Sequence, residues 1–475
     1  MSTTSKAGQR ILSLLDENSF VEIGAMVTAR ATDFNLKQSD ASSDGVITGY
    51  GLIDGKLVYV YSQDASVLNG TVGEMHARKI ANLYDFALKM GAPVIGLLDS
   101  AGLRLEEATD ALDAMATIYA NQAKASGVIP QIAAVFGNCG GGLAISESMA
   151  DFTFMEEKNA KLFVSAPNAL DGNYTAKCDT ASAKFMNEAG VVSGIGEEGY
   201  VLSSIRELVS ILPSNNDSYS DDVDCTDDLN RATEGLEGCA GDTAILISQI
   251  ADDNNFIELK SEFAQSMVTG FIRLNGRTVG VVANRSEVIG EDGKVAKKMD
   301  SVLCPCGCAK ATDFVNFCDA FSIPVVTFTN VTGFKATVEA EKKMAKAAAK
   351  LTAAFANATV PKINVIIGKA YGSAYTVMNS KAIGCDITIA WPNAEIGTMD
   401  AKIAAKIMYD GQSTEVIDEK AKEYAALQNN VVSAAKRGYV DQIVEPADTR
   451  KYVIGALEML FTKYEEGPAR KHGTI

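Results

Sequence analysis

Short apolar runs alternate with amphipathic segments along the chain, which is the pattern of an α/β protein. Residues 57–61 (LVYVY) predict a strand, and residues 93–98 predict a second, buried strand that ends in a tight turn near Gly102. Between them, residues 75–90 predict a helix whose apolar positions share one face. These positions are Ile80, Leu83, Ala87 and Met90.

The same pattern returns 231 residues later. Residues 93–102 and 324–333 have the same order of proline, apolar run and glycine turn. The same offset pairs Pro130 with Pro361, Gly137 with Gly368, and Gly141 with Gly372. Two unrelated αβ units would not keep one register over roughly 50 residues. The sequence therefore predicts two copies of one α/β fold.

An aspartate-rich segment separates the two copies. Residues 214–228 contain six aspartates and neither lysine nor arginine, which predicts a solvated linker. We place the boundary near residue 235. This gives an N-terminal domain over residues 1–235 and a C-terminal domain over residues 236–475.

The composition restricts the classes of binding partner and the cellular location that we expect for the protein. Sixty acidic against 43 basic residues leave a formal charge of -17, which disfavours nucleic acid and anionic lipid. The first residues lack a signal-peptide core and no apolar run approaches a membrane span, so we expect a cytoplasmic protein without direct membrane insertion. Nine cysteines in 475 residues indicate reduced thiols rather than a disulfide scaffold.

A catalytic mechanism based on histidine is disfavoured, because the chain has only two histidines, His76 and His472. The candidate chemistry lies instead in two glycine-rich turns, each between a strand and a helix. The first covers residues 137–142 (GNCGGG) and the second residues 371–374 (YGSA). Neither turn matches a phosphate loop or a dinucleotide fingerprint.

Small residues in such a turn let a substrate approach the main chain. The free amides of the helix that follows, together with its dipole, favour an oxygen with negative charge. A single turn of this kind is also typical of close packing alone. Two turns at equivalent repeat positions predict two substrates, or two halves of one reaction.

Longer motifs carry a family resemblance. In order along the chain, they are residues 44–49, 60–64, 91–97, 127–131, 317–321, 369–372, 390–396 and 470–473. With these motifs the chain resembles the carboxyltransferase subunits of biotin-dependent acyl-CoA carboxylases, the propionyl-CoA carboxylase β type. It resembles equally the α subunits of sodium-pumping methylmalonyl-CoA decarboxylases.

The resemblance implies two tandem crotonase-like domains (ClpP/crotonase superfamily), with acyl-CoA on the N-terminal side and biotin on the C-terminal side. It implies an active site between the N-domain of one subunit and the C-domain of another, usually in a hexamer. Gly141 and Gly142 match amides that hold the thioester oxygen of the acyl-CoA enolate. Ser373 and Ala374 match amides that hold the ureido oxygen of biotin.

Further residues match segments that line the two substrates. Ser100, Ala101 and Gly102 match a family segment that lines the acyl-CoA pocket, and the alternative is a simple turn. Gly140 in the first turn and Gly372 in the second are further substrate-binding candidates, as is Thr376, at a position that the family links to acyl preference. The family chemistry needs no catalytic histidine, serine nucleophile or metal. Carboxybiotin releases CO2, the biotin anion takes a proton from the α-carbon, and the enolate attacks CO2. Each amide donor of such a hole contributes on the order of 3 kcal/mol.

The implied partners are separate polypeptides, since no carrier or ATP-binding domain fits in this chain. They are a biotin carboxyl carrier protein and either a biotin carboxylase subunit or a membrane decarboxylase subunit. Transfer towards biotin in a sodium-pumping decarboxylase is the alternative direction. An inactive CoA-binding subunit is the alternative of another class, and a hydratase lacks an identifiable acidic pair.

Three departures from the family pattern bear on the substrate. Ser373 stands where the family usually has a second glycine, and Thr376 where it often has aspartate. Residues 335–337 replace Leu-Pro-Gly in the loop after Phe334. These positions predict altered biotin or acyl recognition.

Two clusters remain open at this stage. Cys304, Cys306 and Cys308 are spaced too tightly for a structural zinc site, so free thiols are the interpretation and metal the alternative. Lys342, Lys346 and Lys350 form a basic face of a helix. It is either solvated or binds CoA phosphates or the carrier protein.

Overall fold

The computed structural model describes residues 4–31, 41, 43–218, 223–290 and 292–466. The chain forms two compact units, residues 1–220 and 221–475. His472, the motif at residues 470–473 and part of the aspartate-rich segment (219–222) lie outside the described residues.

The first unit is an eight-stranded sheet with helices packed on it. Its strands are β1 Val21–Ile23, β2 Val46–Ile53, β3 Lys56–Gln63, β4 Val94–Ser100, β5 Gln131–Gly140, β6 Phe152–Glu156, β7 Lys161–Phe163 and β8 Gly194–Gly196. Its helices are α1 Lys6–Leu14, α2 Glu74–Met90, α3 Ala108–Ala125, α4 Gly142–Glu147, α5 Asn173–Ala176, α6 Ala183–Glu188 and α7 Glu198–Ile211. The strand order is β1-β2-β3-β4-β5-β6-β8, with β7 also paired to β5.

The second unit has the same plan. Its strands are β9 Phe256–Leu259, β10 Met267–Leu274, β11 Arg277–Asn284, β12 Glu287–Ile289, β13 Val295–Lys298, β14 Val302–Leu303, β15 Val325–Val331, β16 Gly333–Phe334, β17 Lys362–Tyr371, β18 Ile387–Ala390, β19 Glu395–Gly397 and β20 Gln442–Ile443. Its helices are α8 Thr243–Ile250, α9 Pro305–Ala320, α10 Val338–Asn357, α11 Gly372–Val377, α12 Ala401–Met408, α13 Thr414–Tyr424, α14 Val431–Lys436 and α15 Thr449–Met459. The main sheet has the order β9-β10-β11-β15-β17-β18-β20, with β19 paired to β17.

The predicted α/β class and internal repeat are confirmed. Strand β4 pairs with β5 in the register Val94 to Gln131, and β15 pairs with β17 in the register Val325 to Lys362. Both residues of the second pair lie 231 positions after those of the first. In each unit a parallel core of strands is extended by antiparallel strands at one edge.

The predicted helix over residues 75–90 is α2, which ends at Gly91 in the left-handed conformation (φ 61°). Ile80, Leu83 and Ala87 are buried. Full burial of a large aliphatic side chain such as Ile80 or Leu83 contributes about 1.5–3 kcal/mol to the stability of the fold. Met90 differs from the prediction and is 60% exposed. It lies in the last turn, where the chain leaves the sheet surface.

The aspartate-rich segment is less solvated than its composition predicts. Asp227 forms ion pairs with Arg231 and with the fully buried Arg450. The Thr233 N–H donates to the Ala447 carbonyl at 2.9 Å. Residues 223–228 of the segment thus pack on the second unit, whereas the Asn215 side chain donates to the Gly91 carbonyl at 2.7 Å in the first unit.

None of the helices in the part of the chain that the structure describes combines the length and the apolar character needed to cross a membrane.

Candidate active site

The first glycine-rich turn joins β5 to α4. Gly141 has φ 63° and ψ -126°, a backbone conformation that only glycine adopts without strain. Four residues earlier, Gly137 lies against Asp99, and an added Cβ would come within 1.9 Å of the carboxylate oxygen. Both glycines are therefore required by the backbone path into the turn.

The turn leaves two helix amides without a protein partner. The Gly141 N–H donates to the Phe163 carbonyl at 2.9 Å, as part of the contact between β5 and β7. The Ala144 N–H donates to the Gly141 carbonyl at 3.1 Å. Among the described residues, the amides of Gly142 and Leu143 have no such bond. The sequence assigned the thioester oxygen to the amides of Gly141 and Gly142, and that assignment stays a prediction. In the structure the Gly141 amide is bonded to Phe163, and among the described residues the unbonded amides of the turn are those of Gly142 and Leu143.

Helix α3 packs behind the turn. The Tyr119 hydroxyl donates to the Gly142 carbonyl at 2.6 Å. A Cβ at Gly142 would meet the Met115 sulfur and the Tyr119 oxygen at 2.7 Å each. A larger residue here would require these side chains or the turn to move, and the Tyr119 bond holds the Gly142 peptide in place.

The residues at the end of β4 lie beside this turn. Ser100 is buried, and its hydroxyl accepts a hydrogen bond from the Gly102 N–H at 3.1 Å. Gly102 has φ 100°, and a Cβ there would lie 3.8 Å from the Gly140 carbonyl oxygen. Ala101 is exposed. The structure thus brings Ser100, Gly102 and Gly140 together at one edge of the sheet.

A buried ionic cluster that the sequence did not indicate holds the segment after Gly102. Arg104, 1% exposed, pairs with Glu107 at 2.8 Å and with Asp44, and donates to the Thr71 carbonyl at 2.6 Å. Burial raises the pKa of Asp44, against the lowering effect of Arg104. A charged residue directly after a turn was the only signal, and such residues are usually solvated.

The second turn repeats the geometry of the first. Gly372 has φ 60°, equivalent to Gly141, and a Cβ there would lie 3.0 Å from the Thr398 carbonyl oxygen. Ser373 is exposed and Ala374 is buried. Among the described residues their amides have no bonded partner, like those of Gly142 and Leu143. Residue by residue, Ser373 corresponds to Gly142, and Ala374 to Leu143.

Other side chains of α11 and its surroundings shape this turn. The Thr376 hydroxyl is exposed and donates to the Gly372 carbonyl at 3.4 Å. The Tyr371 hydroxyl donates to the Glu395 carboxylate, and burial together with this carboxylate raises the pKa of Tyr371. The loop after Phe334 is tied to β14, where the Lys335 N–H donates to the Leu303 carbonyl at 2.8 Å.

The cysteine cluster opens helix α9. The Cys304 sulfur accepts a hydrogen bond from the Gly307 N–H at 3.3 Å, so this thiol caps the helix. Cys306 is exposed, and burial raises the pKa of the Cys308 thiol to about 12. Within the described ranges no three histidine, cysteine or acidic side chains lie together in a way that could hold a metal ion.

The basic face is on helix α10, where Lys342, Lys346 and Lys350 are exposed. Lys342 pairs with Glu339 at 2.6 Å. A role of these lysines in binding CoA phosphates or the carrier protein stays a prediction.

The chain is similar to known proteins over nearly its whole length. Residues 5–475 match the family model described as the carboxyl transferase domain. The chain is 36% identical to the methylmalonyl-CoA decarboxylase subunit alpha of Propionigenium modestum, covering 99% of this chain and 92% of that protein. It is 40% identical to the propionyl-CoA carboxylase beta chain of Cereibacter sphaeroides, covering 99% and 93%.

A solved structure is similar over the whole chain. It is the transcarboxylase 12S hexamer with methylmalonyl-coenzyme A and methylmalonic acid bound. The TM-score is 0.91 at 35% identity, covering 100% of this chain and 93% of that one.

Proposed function

Because the chain belongs to the carboxyl transferase domain family, as a biotin-dependent acyl-CoA carboxyltransferase, we propose that its two turns hold the two substrates of one transfer. The turn that begins α4 binds the acyl-CoA thioester, and the turn that begins α11 binds biotin. The observation that carries this proposal is the pair of equivalent turns, each with two free amides at the start of a helix.

At the first turn, the amides of Gly142 and Leu143 hold the thioester oxygen. This oxygen gains negative charge when the α-carbon loses its proton, so donors aimed at it stabilise the enolate more than the ground state. The α4 dipole adds positive potential at the same point. Gly102 leaves room for the thioester beside the amides, since an added Cβ there would meet only the Gly140 carbonyl oxygen, at 3.8 Å.

At the second turn, the amides of Ser373 and Ala374 hold the ureido oxygen of biotin. Carboxybiotin, carried on a separate protein, supplies the carboxyl group and the base. The residues fit this group, because Ser373 is exposed at the start of α11 and, among the described residues, the amides of Ser373 and Ala374 have no bonded partner. The Ser373 hydroxyl adds a polar atom beside biotin that a glycine would not.

For the thioester we propose the methylmalonyl-CoA and propionyl-CoA pair. Relatives of both names match the chain over 99% of its length, and the similar transcarboxylase structure holds methylmalonyl-coenzyme A. Both directions of transfer use the same two oxyanions. Similarity to the decarboxylase subunit keeps transfer towards biotin as the second candidate.

For the assembly we propose a homo-oligomer, namely a hexamer like the one named for transcarboxylase 12S. We propose that this assembly works with a biotin carboxyl carrier protein. The third component is a biotin carboxylase subunit or a membrane decarboxylase subunit. A cytoplasmic location belongs to the same proposal.

The test is incubation of the purified protein with free biotin and malonyl-, methylmalonyl- or glutaconyl-CoA, with CO2 release followed. We expect biotin-dependent decarboxylation of methylmalonyl-CoA. Loss of CO2 from another thioester would overturn the substrate proposal only. No release from any thioester, with CoA binding intact, would favour the inactive CoA-binding subunit.

A further inference from the structure

Glu147, the last residue of α4, is a buried carboxyl group without a partner. It is 1% exposed, and among the described residues neither carboxyl oxygen has a hydrogen-bond partner. An ionised carboxylate in such a place is strongly disfavoured, so the group is expected to keep its proton. Burial raises its pKa from the ordinary 4.5 to about 8.

The titratable groups that face Glu147 do not offer a positive charge. They are Tyr61 on β3, Tyr84 on α2 and Cys139 on β5, and burial raises the pKa of each. From α3, Gln122 bonds to the neighbouring Ser146 instead, at 2.8 Å. Each element that packs on this carboxyl therefore favours its neutral form.

The internal repeat shows that the position does not need a carboxyl group for packing. The residue 231 positions after Glu147 is Met378, which is fully buried. Because Gly141 and Gly372 are equivalent by their backbone conformation, Glu147 and Met378 occupy the same place relative to the two turns. The carboxyl is thus a property of the acyl-CoA half alone.

Glu147 and the free amides are at opposite ends of one short helix. Glu147 lies five positions after Gly142, which is roughly 8 Å along an α-helix. A negative charge at a helix C-terminus is unfavourable, and it also opposes a second negative charge at the N-terminus. Loss of the Glu147 proton would act directly on the site proposed for the enolate.

We propose that Glu147 is a positioning residue whose proton controls the acyl-CoA turn. As a neutral acid it leaves the amides of Gly142 and Leu143 at full strength for the thioester enolate. As a carboxylate it weakens that oxyanion site, and it also weakens the packing of α4 against the sheet. This inference rests on the function proposed above and adds to it a pH-sensitive control of one half of the reaction.

The test is the pH profile of kcat/KM for biotin-dependent methylmalonyl-CoA decarboxylation. The wild-type value is expected to fall as pH rises through about 8. The Glu147 carboxylate and the enolate oxygen would repel each other at this separation. At an effective permittivity of about 20, the repulsion corresponds to a kcat/KM at high pH roughly thirty-fold below its value at low pH. Glu147→Gln and Glu147→Met each remove this fall relative to their own value at low pH.

A matched control separates Glu147 from Asp151, a half-buried acid nearby. Asp151 follows α4, its carboxylate accepts the Gln131 N–H at 2.8 Å, and burial raises its pKa to about 7. Asp151→Asn should keep the alkaline fall if Glu147 is the group that titrates. An unchanged fall in both Glu147 variants, or its loss in Asp151→Asn alone, would overturn the proposal.

A second measurement does not depend on activity. The infrared difference spectrum between wild type and Glu147→Gln at pH 7 should contain the band of a protonated carboxyl group. A carboxylate band there would overturn the proposal even if the enzyme is active. If no thioester is decarboxylated while the protonated band is present, the proposed function fails and the neutral state of Glu147 stands.

Discussion

The Tyr119 hydroxyl donates a hydrogen bond of 2.6 Å to the Gly142 carbonyl, which belongs to the same peptide group as the Leu143 N–H. A bond to the carbonyl oxygen of a peptide polarises the whole group and makes its N–H a stronger donor. Helix α3 therefore both orients the peptide at the start of α4 and strengthens one of the two free amides.

Replacing Tyr119 with phenylalanine tests this link. The variant keeps the ring but loses the donor, and a typical net bond contributes about 0.5–1.5 kcal/mol. We expect kcat/KM for the thioester to fall about three- to ten-fold, with little change in the dependence on biotin. Tyr174→Phe, at a 90% exposed residue, is the control and should have no effect. An equal fall in both variants would contradict a role of the Tyr119 bond.

Replacing Gly142 with alanine should disrupt the first turn. The new Cβ would meet the Met115 sulfur and the Tyr119 oxygen at 2.7 Å each, so these side chains or the turn must shift, and either movement disturbs the Tyr119 bond to the Gly142 carbonyl. Loss of one oxyanion donor costs about a hundred-fold or more in kcat, and we expect a fall of at least this size.

The control is Gly199→Ala in α7, where an added Cβ meets nothing within 4 Å. An exchange of this kind in a helix is neutral or stabilising by about 0.5–1 kcal/mol. Thermal unfolding of both variants shows whether the loss of activity comes from a change confined to the turn or from destabilisation of the whole protein. Wild-type activity in Gly142→Ala would exclude this turn as the thioester site.

Restoring glycine at Ser373 tests the biotin side. The amide is kept while the hydroxyl and its methylene are removed from the exposed start of α11. We expect a several-fold lower KM for free biotin and an unchanged KM for the thioester. The thioester KM is the internal control, and a change in it without a change in the biotin KM would exchange the roles of the two turns.

The sequence predicted the family, the reaction class and the α/β repeat, and each of these is confirmed. These features depend on local signals: apolar runs, and glycines such as Gly141 and Gly372 that a positive φ requires. A constant offset between two copies makes such signals mutually consistent. The residues assigned to each substrate stay predictions until variants are measured.

What the sequence could not provide depends on contacts between distant segments. The Gly141 amide is used because β7 lies beside β5, which brings the Phe163 carbonyl to it. Arg104 is buried because Asp44, 60 residues earlier, comes to lie next to it. Neither partner is indicated by spacing, so the choice of free amides needed the fold.

The stability of the protein should depend on pH through Glu147. Its folded pKa of about 8 is above the ordinary 4.5, so the folded state holds the proton more tightly than the unfolded state. The stabilisation from this group is therefore fully present below about pH 4.5 and is lost as pH rises through about 8. Glu147→Met has no proton to lose, and its stability relative to wild type should increase across that range, by on the order of 4 kcal/mol.

Urea unfolding of the wild type and of Glu147→Met at several pH values measures this difference directly. Glu188→Met, at an exposed residue of α6, changes the same side chain without burial and should give a constant difference from wild type. A difference for Glu147→Met that stays constant between pH 5 and 9 would mean that the carboxyl is solvated or paired in solution. A rising difference that levels off near pH 8 would locate the buried proton at Glu147, because the other groups facing it titrate at higher pH.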